Sequence, residues 1–442
     1  MVTSSPRTKV SNALSALITL VIAAPAILWF DGPVVHAVVA GAAAAGIAIV
    51  SATMRPGETI FLVSLARPVV LLCAVPALWM LLQVVPLGLF AHPIWASAQA
   101  ALAHPVVGSI SIDVGAGVQA LGRYLTMVGI GLLTAATAVD RQRAERILFA
   151  LVAATAFVSL AAMAGKMFGL GAFADAAGLA PAQATDCIVI GTIVASAGMI
   201  RTWDRYETRR ARPGRSVLIL AMTFAACAAA FALCFGSLLA LAPSGVLVPA
   251  FFGTGALAAI ALIRRLGLGR SGIAAICVPA VVAAALLGAG NLGFPTQDIS
   301  LAFATPSSDA LAAAAQRMLA DAPLLGTGAG TFGAMAPIYH DIDDNASFMG
   351  APTFAAAAAV ELGRPFLWFL VLSTGGVIVF FLHAALRRGR DSFYAAAGAG
   401  TLIALLLLIF MNAGLQGTAT AMIATATVAL ALAQSKSRSR PR

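Results

Sequence analysis

The chain has 442 residues, 61% of them hydrophobic and 10% charged, with a formal net charge of +10. Soluble globular domains carry roughly a quarter charged residues, so this composition excludes an ordinary water-soluble fold. The positive charge sits in short clusters between apolar runs, with no basic patch interleaved with aromatics, which excludes nucleic acid as the partner and points to a membrane.

Apolar runs near twenty residues recur from end to end, each long enough to cross about 30 Å of hydrocarbon as a helix. Most lack the polar face of a helix in a soluble protein. The pattern predicts an all-α polytopic membrane protein of about twelve transmembrane helices. The expected spans are 12–30, 34–53, 68–90, 118–139, 147–165, 185–201, 217–241, 245–263, 271–290, 364–386, 393–411 and 417–434. The first follows Arg7 and Lys9, is long for a cleavable signal peptide, and is read as a retained helix. The chain divides into an N-terminal bundle (1–290), a loop region (291–363), three closing spans (364–434) and a basic tail (435–442) suited to anionic lipid head groups.

With both termini in the cytoplasm, all but four of the 27 lysines and arginines fall on the cytoplasmic side. This sorting fixes the expected orientation and places the large loop on the periplasmic side of a bacterial inner membrane. The four exceptions are Arg123, Lys166, Arg317 and Arg364. Orientation does not explain them. Either each pairs locally or snorkels at the interface, or some bind an anionic substrate. Local partners are at hand: Asp321 lies four residues after Arg317, and Glu361 precedes Arg364. Cys73, Cys187, Cys227, Cys234 and Cys277 all lie in apolar runs without metal spacing and read as small packing residues.

Three segments on the loop side exceed tight turns: about 91–117, 166–184 and 291–363. In the last, an amphipathic helix starts near Ser307 or Ser308. Its apolar side carries Leu311, Ala315, Met318, Leu319 and Ala322, and Pro323 ends it. A second short helix is expected over about 353–362, with Thr353 as cap and Gly363 as stop. Between them runs Pro323-Leu324-Leu325-Gly326-Thr327-Gly328-Ala329-Gly330-Thr331-Phe332. The alternate glycines Gly326, Gly328 and Gly330 permit backbone that other residues avoid. They make a turn between the two helices or an anion nest. The Lys-Ser/Thr ending of a nucleotide P-loop is missing.

The stretch Pro323–Phe332, the Glu361-Leu362-Gly363 that follows it, Leu82-Gln83-Val84-Val85-Pro86-Leu87 and Ser111-Ile112-Asp113 together resemble the O-antigen ligase and O-antigen polymerase superfamily. The resemblance covers most of the chain in topology and rests on these short stretches in motif. It implies transfer or polymerisation of a glycan carried on undecaprenyl diphosphate at the periplasmic face, by inverting chemistry without nucleotide sugar, metal or other cofactor. It also implies arginines on the diphosphate and a loop histidine as base or positioning group. Where the family carries a histidine ahead of the second short helix, this chain reads Ala351-Pro352-Thr353-Phe354.

The chemistry needs cations for the departing diphosphate, and Arg123, Arg317 and Arg364 are the candidates. It needs a base for the acceptor hydroxyl, and His340, the only histidine of the main loop, is the candidate. His92 and His104 are weaker ones, and His36 lies near the outer end of the second span. Two alternatives stay open: a non-catalytic member partnering other polysaccharide-assembly proteins, or a transporter.

Overall fold

A computed structural model describes residues 6–54, 56–105, 107–168, 181–209, 215–241, 244–266, 309–339, 350–387 and 391–435. Every regular element among them is helical. In chain order these are α1 (Pro6–Ile22), α2 (Ala24–Trp29), α3 (Pro33–Ser51), α4 (Pro56–Val84), α5 (Ile94–Leu102), α6 (Val114–Thr137), α7 (Arg141–Met167) and α8 (Pro181–Arg209). They continue with α9 (Arg215–Leu241), α10 (Leu247–Arg265), α11 (Asp309–Asp321), α12 (Phe332–Tyr339), α13 (Phe354–Glu361), α14 (Arg364–Arg387), α15 (Ser392–Leu408) and α16 (Thr418–Ser435).

Among the described residues, nine helices are long and apolar enough to cross a membrane: α3, the part of α4 from Arg67, α6, α7, α8, α9, α10, α14 and α16. Each overlaps one of the expected spans. α15 is a shorter apolar helix, and the first expected span is broken between α1 and α2 at Ala23, just before Pro25. The expected span 271–290 lies outside the described residues. Local chemistry sets the helix starts. Asp113 accepts from Ala116 N–H at 3.0 Å to cap α6, Asp140 accepts from Gln142 N–H at 3.1 Å to cap α7, and Pro33 opens α3.

α8 and α16 form the centre, with 72% and 83% of their spans buried, against 11% for α4 and 17% for α14 at the rim. Large apolar side chains such as Leu71, Phe157, Met222, Leu372 and Val379 point outward. In lipid this costs nothing, so small residues and close packing, not apolar burial, hold such helices together. α10 and α15 cross at Gly253 and Gly400: a Cβ on Gly400 would lie 2.4 Å from the Gly253 carbonyl. Cys227 packs on Gly198 and Cys234 on Gly191, so these two cysteines act as packing residues.

The two ends of the bundle differ. At the end bearing the starts of α7 and α15, Glu145 pairs with Arg201 and Arg205, Arg141 reaches Asp391 at 2.9 Å, and Arg265 reaches Asp204 at 3.6 Å. These arginines tie α7, α8, α10 and α15 together. A cavity of about 120 Å³ opens at this end, lined by Asp204, Arg264, Arg265, Ser392 and Phe393 among others. At the opposite, loop-bearing end, α11, α12, α13 and the start of α14 build a second apolar core from Met318, Leu319, Phe332, Met335, Val360 and Phe366.

Candidate functional site

At the loop-bearing end, four separated stretches of chain meet in one hydrogen-bonded knot. Gln83, at the end of α4 and fully buried, donates from Nε2 to the carbonyls of Leu325 and Glu361, both at 2.9 Å. Its Oε1 accepts from Ala329 N–H at 3.2 Å. The Gln83 carbonyl takes Ser111 N–H at 2.9 Å, and Ile112 N–H reaches the Thr327 carbonyl at 2.9 Å. Trp79, one turn earlier on α4, donates to the Leu362 carbonyl at 3.0 Å and stacks on Phe366 with ring centroids 5.8 Å apart.

The glycine stretch is a turn whose N–H groups are taken up within the chain, with no donor left over for a bound phosphate. Gly326, Gly328 and Gly330 have φ of 80°, 109° and 79°. A Cβ on Gly326 would lie 2.2 Å from the Glu361 carbonyl, and one on Gly328 2.1 Å from Ser111 Oγ, so both strain and crowding demand glycine. The backbone N–H groups from Gly326 to Phe332 all find partners inside the protein. Gly326, Thr327, Gly328 and Thr331 donate to the carbonyls of Pro323, Val360, Glu361 and Gly328. Ala329 donates to Gln83, while Gly330 and Phe332 donate to the Glu361 carboxylate. The anion that the nest holds is therefore Glu361, a residue of the same chain. Burial pushes the Glu361 carboxyl above its ordinary pKa, and the two N–H groups offset part of that.

Three of the four loop-side cations share one task. Arg364 donates to the Leu319 carbonyl in the last turn of α11 at 2.8 Å, and Arg317 to the carbonyl of Tyr339, the last residue of α12, at 2.7 Å. Lys166 donates to the Ala240 carbonyl at the end of α9. Each satisfies a last-turn carbonyl that its helix leaves unpaired. Glu361 is engaged by the loop backbone, so the sequence-local pairing with Arg364 is superseded. Asp321 accepts from the Tyr339 hydroxyl at 3.0 Å, which with Arg317 zips α11 to α12.

Arg123 differs. It is exposed on α6 and makes no hydrogen bond or ion pair among the described residues. Arg317 and Arg364 belong to the α11–α14 platform, whereas Arg123 lies about 14 Å along α6 from its start, taking 1.5 Å per residue. The three are thus divided between platform and bundle. His340 lies outside the described residues, as do Asp341, Asp343 and Asp344. His104 is exposed. His92 sits beside α5, where burial lowers the pKa of its imidazole.

Two further polar groups order this end: Asp186, which the sequence marks only as a suggestive ionisable residue near a helix start, and Asp31, which it does not mark. Asp31, after α2, accepts from His36 Nε2 at 2.6 Å, from Thr418 Oγ1 at 2.9 Å and from Thr418 N–H at 3.2 Å, joining the starts of α3 and α16. Asp186, fully buried on α8, accepts from Asn412 Nδ2 at 2.7 Å, and the Asn412 carbonyl takes Phe354 N–H at 2.9 Å, anchoring the start of α13. Partners hundreds of residues apart leave no local signal, though the five-residue spacing of Asp31 and His36 was visible. The short helices α5 and α12 were also unforeseen.

No protein-family model matches this chain, and no curated protein matches it.

Proposed function

We propose that this chain is a membrane-embedded transferase or polymerase for glycans carried on a lipid diphosphate, of the O-antigen ligase and polymerase kind. One observation carries the reading. The stretches on which the resemblance rests, around Gln83, Ser111–Asp113, Pro323–Phe332 and Glu361–Gly363, are remote in sequence and meet in a single hydrogen-bonded knot. A chance likeness of short motifs has no reason to converge in space.

The sorting of basic residues supports an orientation with the knot on the periplasmic side of a bacterial inner membrane. On this reading α11, α12 and α13 form a lid platform over the bundle. Arg123 is the cation for the lipid diphosphate, since the other three loop-side cations are engaged by helix-end carbonyls. An ionisable side chain in a span without a partner is costly unless a ligand uses it. Arg317 and Arg364 hold the platform and leave the substrate to Arg123.

The test replaces Arg123, Arg317 and Arg364 singly with alanine in the native cell and measures the length distribution of surface polysaccharide. Arg123→Ala is expected to abolish long polymer, and the other two to shorten it only as far as they lower protein abundance. Unaltered polymer in Arg123→Ala would sink the mechanism. A second reading, a non-catalytic assembly partner, is favoured by Ala351-Pro352-Thr353 at the start of α13. Ala351 and Thr353 are buried there, and Thr353 caps the helix through Ala356 N–H at 3.1 Å. Polymerisation of lipid-linked repeats by the purified protein alone would rule that reading out.

A further inference from the structure

The cavity at the arginine-rich end, opposite the loop platform, has no part in the reading above. It lies between α8, α10 and α15 and has a volume of about 120 Å³. Small side chains, Ala261 and Ala396, make the room, and Leu257 and Ile260 form an apolar wall. The charged and hydroxyl side chains that line it are Asp204 of α8, Arg264 and Arg265 at the end of α10, and Ser392 at the start of α15. An apolar cavity of about 150 Å³ takes benzene. A space of about 120 Å³ therefore suits a phosphate group, which has one heavy atom fewer.

The donors of this cavity are uncommitted. Ser392 is 5% exposed, and its hydroxyl makes no hydrogen bond among the described residues. That hydroxyl is not sealed in the protein, and Ser392 lines the cavity. A buried donor without a partner is costly unless a ligand accepts from it. Asp391, at the start of α15, engages Arg141 at 2.9 Å and does not cap the helix with its side chain. The first turn of α15 thus keeps the positive end of its dipole beside Ser392. Arg264 makes no hydrogen bond or ion pair among the described residues. Arg265 is oriented by Asp204 at 3.6 Å and by the Trp203 ring, whose centroid lies 5.8 Å from its guanidinium carbon.

Charge selects the ligand. Asp204 is the one carboxylate among the lining residues, so two arginines leave an excess of one positive charge. The start of α15 adds about half a charge. A phosphodiester carries a single negative charge and matches this excess. A phosphate monoester carries about −1.5 to −2 at neutral pH and exceeds it. The apolar wall suits the carbon atoms next to a lipid phosphate, and basic pockets between membrane helices on the cytoplasmic side are suited to anionic head groups.

We propose that this cavity binds the phosphodiester of an anionic phospholipid, phosphatidylglycerol being the simplest, from the leaflet that the sorting of basic residues makes cytoplasmic. Arg264 and Arg265 hold the phosphate oxygens, and the Ser392 hydroxyl donates to one of them. Leu257 and Ile260 face the glycerol carbons. Lipid binding here is independent of the glycan-transfer reading.

The experiment uses the full chain, purified in detergent and stripped of native lipid. It is titrated with phosphatidylglycerol or phosphatidylcholine, and bound lipid is counted by native mass spectrometry. Phosphatidylcholine carries the same phosphodiester with a balancing cation. The first phosphatidylglycerol is expected to bind about 10-fold more tightly than the first phosphatidylcholine. Arg264→Ala is expected to weaken that binding about 10–100-fold, and Ser392→Ala about 10-fold. Ser392→Ala breaks no side-chain hydrogen bond among the described residues and leaves the net charge unchanged, so its effect separates contact in the cavity from attraction to the basic surface. Arg146→Ala removes an exposed charge of α7 that does not line the cavity, and is expected to leave the affinity unchanged. Equal affinity for the two lipids overturns the site. So does phosphatidylglycerol binding that is unaltered in both Arg264→Ala and Ser392→Ala, or that Arg146→Ala weakens as much as Arg264→Ala does. Displacement of phosphatidylglycerol by inorganic phosphate at equal concentration overturns the lipid assignment and gives the cavity to a soluble phosphate.

Discussion

Replacing Gln83 with leucine tests whether one side chain ties the loop platform to the bundle. Gln83 is fully buried and makes three hydrogen bonds across a sequence gap of more than 240 residues. Leucine matches it roughly in size and makes none. The Glu361 carbonyl keeps its bond from Gly328 N–H, so two groups are orphaned: the Leu325 carbonyl and the Ala329 N–H. Each unpaired buried group costs about 1–3 kcal/mol, and the apolar leucine recovers about 1 kcal/mol, leaving a net loss near 3 kcal/mol. If the platform opens locally, that loss raises its open population about 10²-fold. Arg317, followed by Met318, lies on the platform, so trypsin cleavage there reports opening under conditions where closing outpaces cleavage. The expected result is cleavage about 10²-fold faster than in the unaltered protein, while thermal unfolding of the bundle shifts less. Cleavage within twofold of the unaltered rate would refute the claim that Gln83 fastens the platform. Gln83→Glu gives an internal check: its carboxylate faces two carbonyls at high pH and can donate to one when protonated, so its platform is expected to be tighter at pH 5 than at pH 8.

Other outcomes follow from the same contacts. The raised pKa of Glu361 means that the folded state holds its proton more tightly than the unfolded chain does. The platform should therefore gain stability as pH falls from neutral through that pKa, with no further gain below the ordinary value of 4.5. Glu361→Gln should flatten this dependence when unfolding is followed from pH 4 to 8. Gly400→Ala places a Cβ 2.4 Å from the Gly253 carbonyl and should cost about 1–3 kcal/mol by overpacking. Gly236→Ala, with nothing within 4 Å, should cost nothing in the same thermal assay. Trp79→Phe should keep the stack on Phe366, lose the bond to the Leu362 carbonyl and cost about 1 kcal/mol, read by denaturation of the platform.

Much of the helical plan was legible because lipid imposes a length and an apolar composition on each span, and both are local properties of sequence. The platform helices α11 and α13 were legible for a similar reason: caps, proline stops and a face of Ala315, Met318 and Leu319 are written within a dozen residues. α12 was not, because Phe332–Tyr339 carries Pro337 and is made helical by its place among Met318, Leu319 and Val360. The three alternate glycines were legible as a turn, but not the anion they enclose. Glu361 comes 31 residues after Gly330, and only folding brings its carboxylate to that N–H.

The cations show the division most sharply. Sequence alone determined that Arg123, Lys166, Arg317 and Arg364 stand apart from the other basic residues, because sorting by membrane side depends only on order along the chain. It left unresolved which of them are engaged. Tertiary structure decided that Lys166, Arg317 and Arg364 meet carbonyls at helix ends while Arg123 stays exposed with no partner among the described residues, and that Asp31 ties His36 to Thr418. Hydrogen-bond partnership depends on distances of about 3 Å between residues that the sequence separates by tens to hundreds of positions, and only the packing of the helices sets those distances.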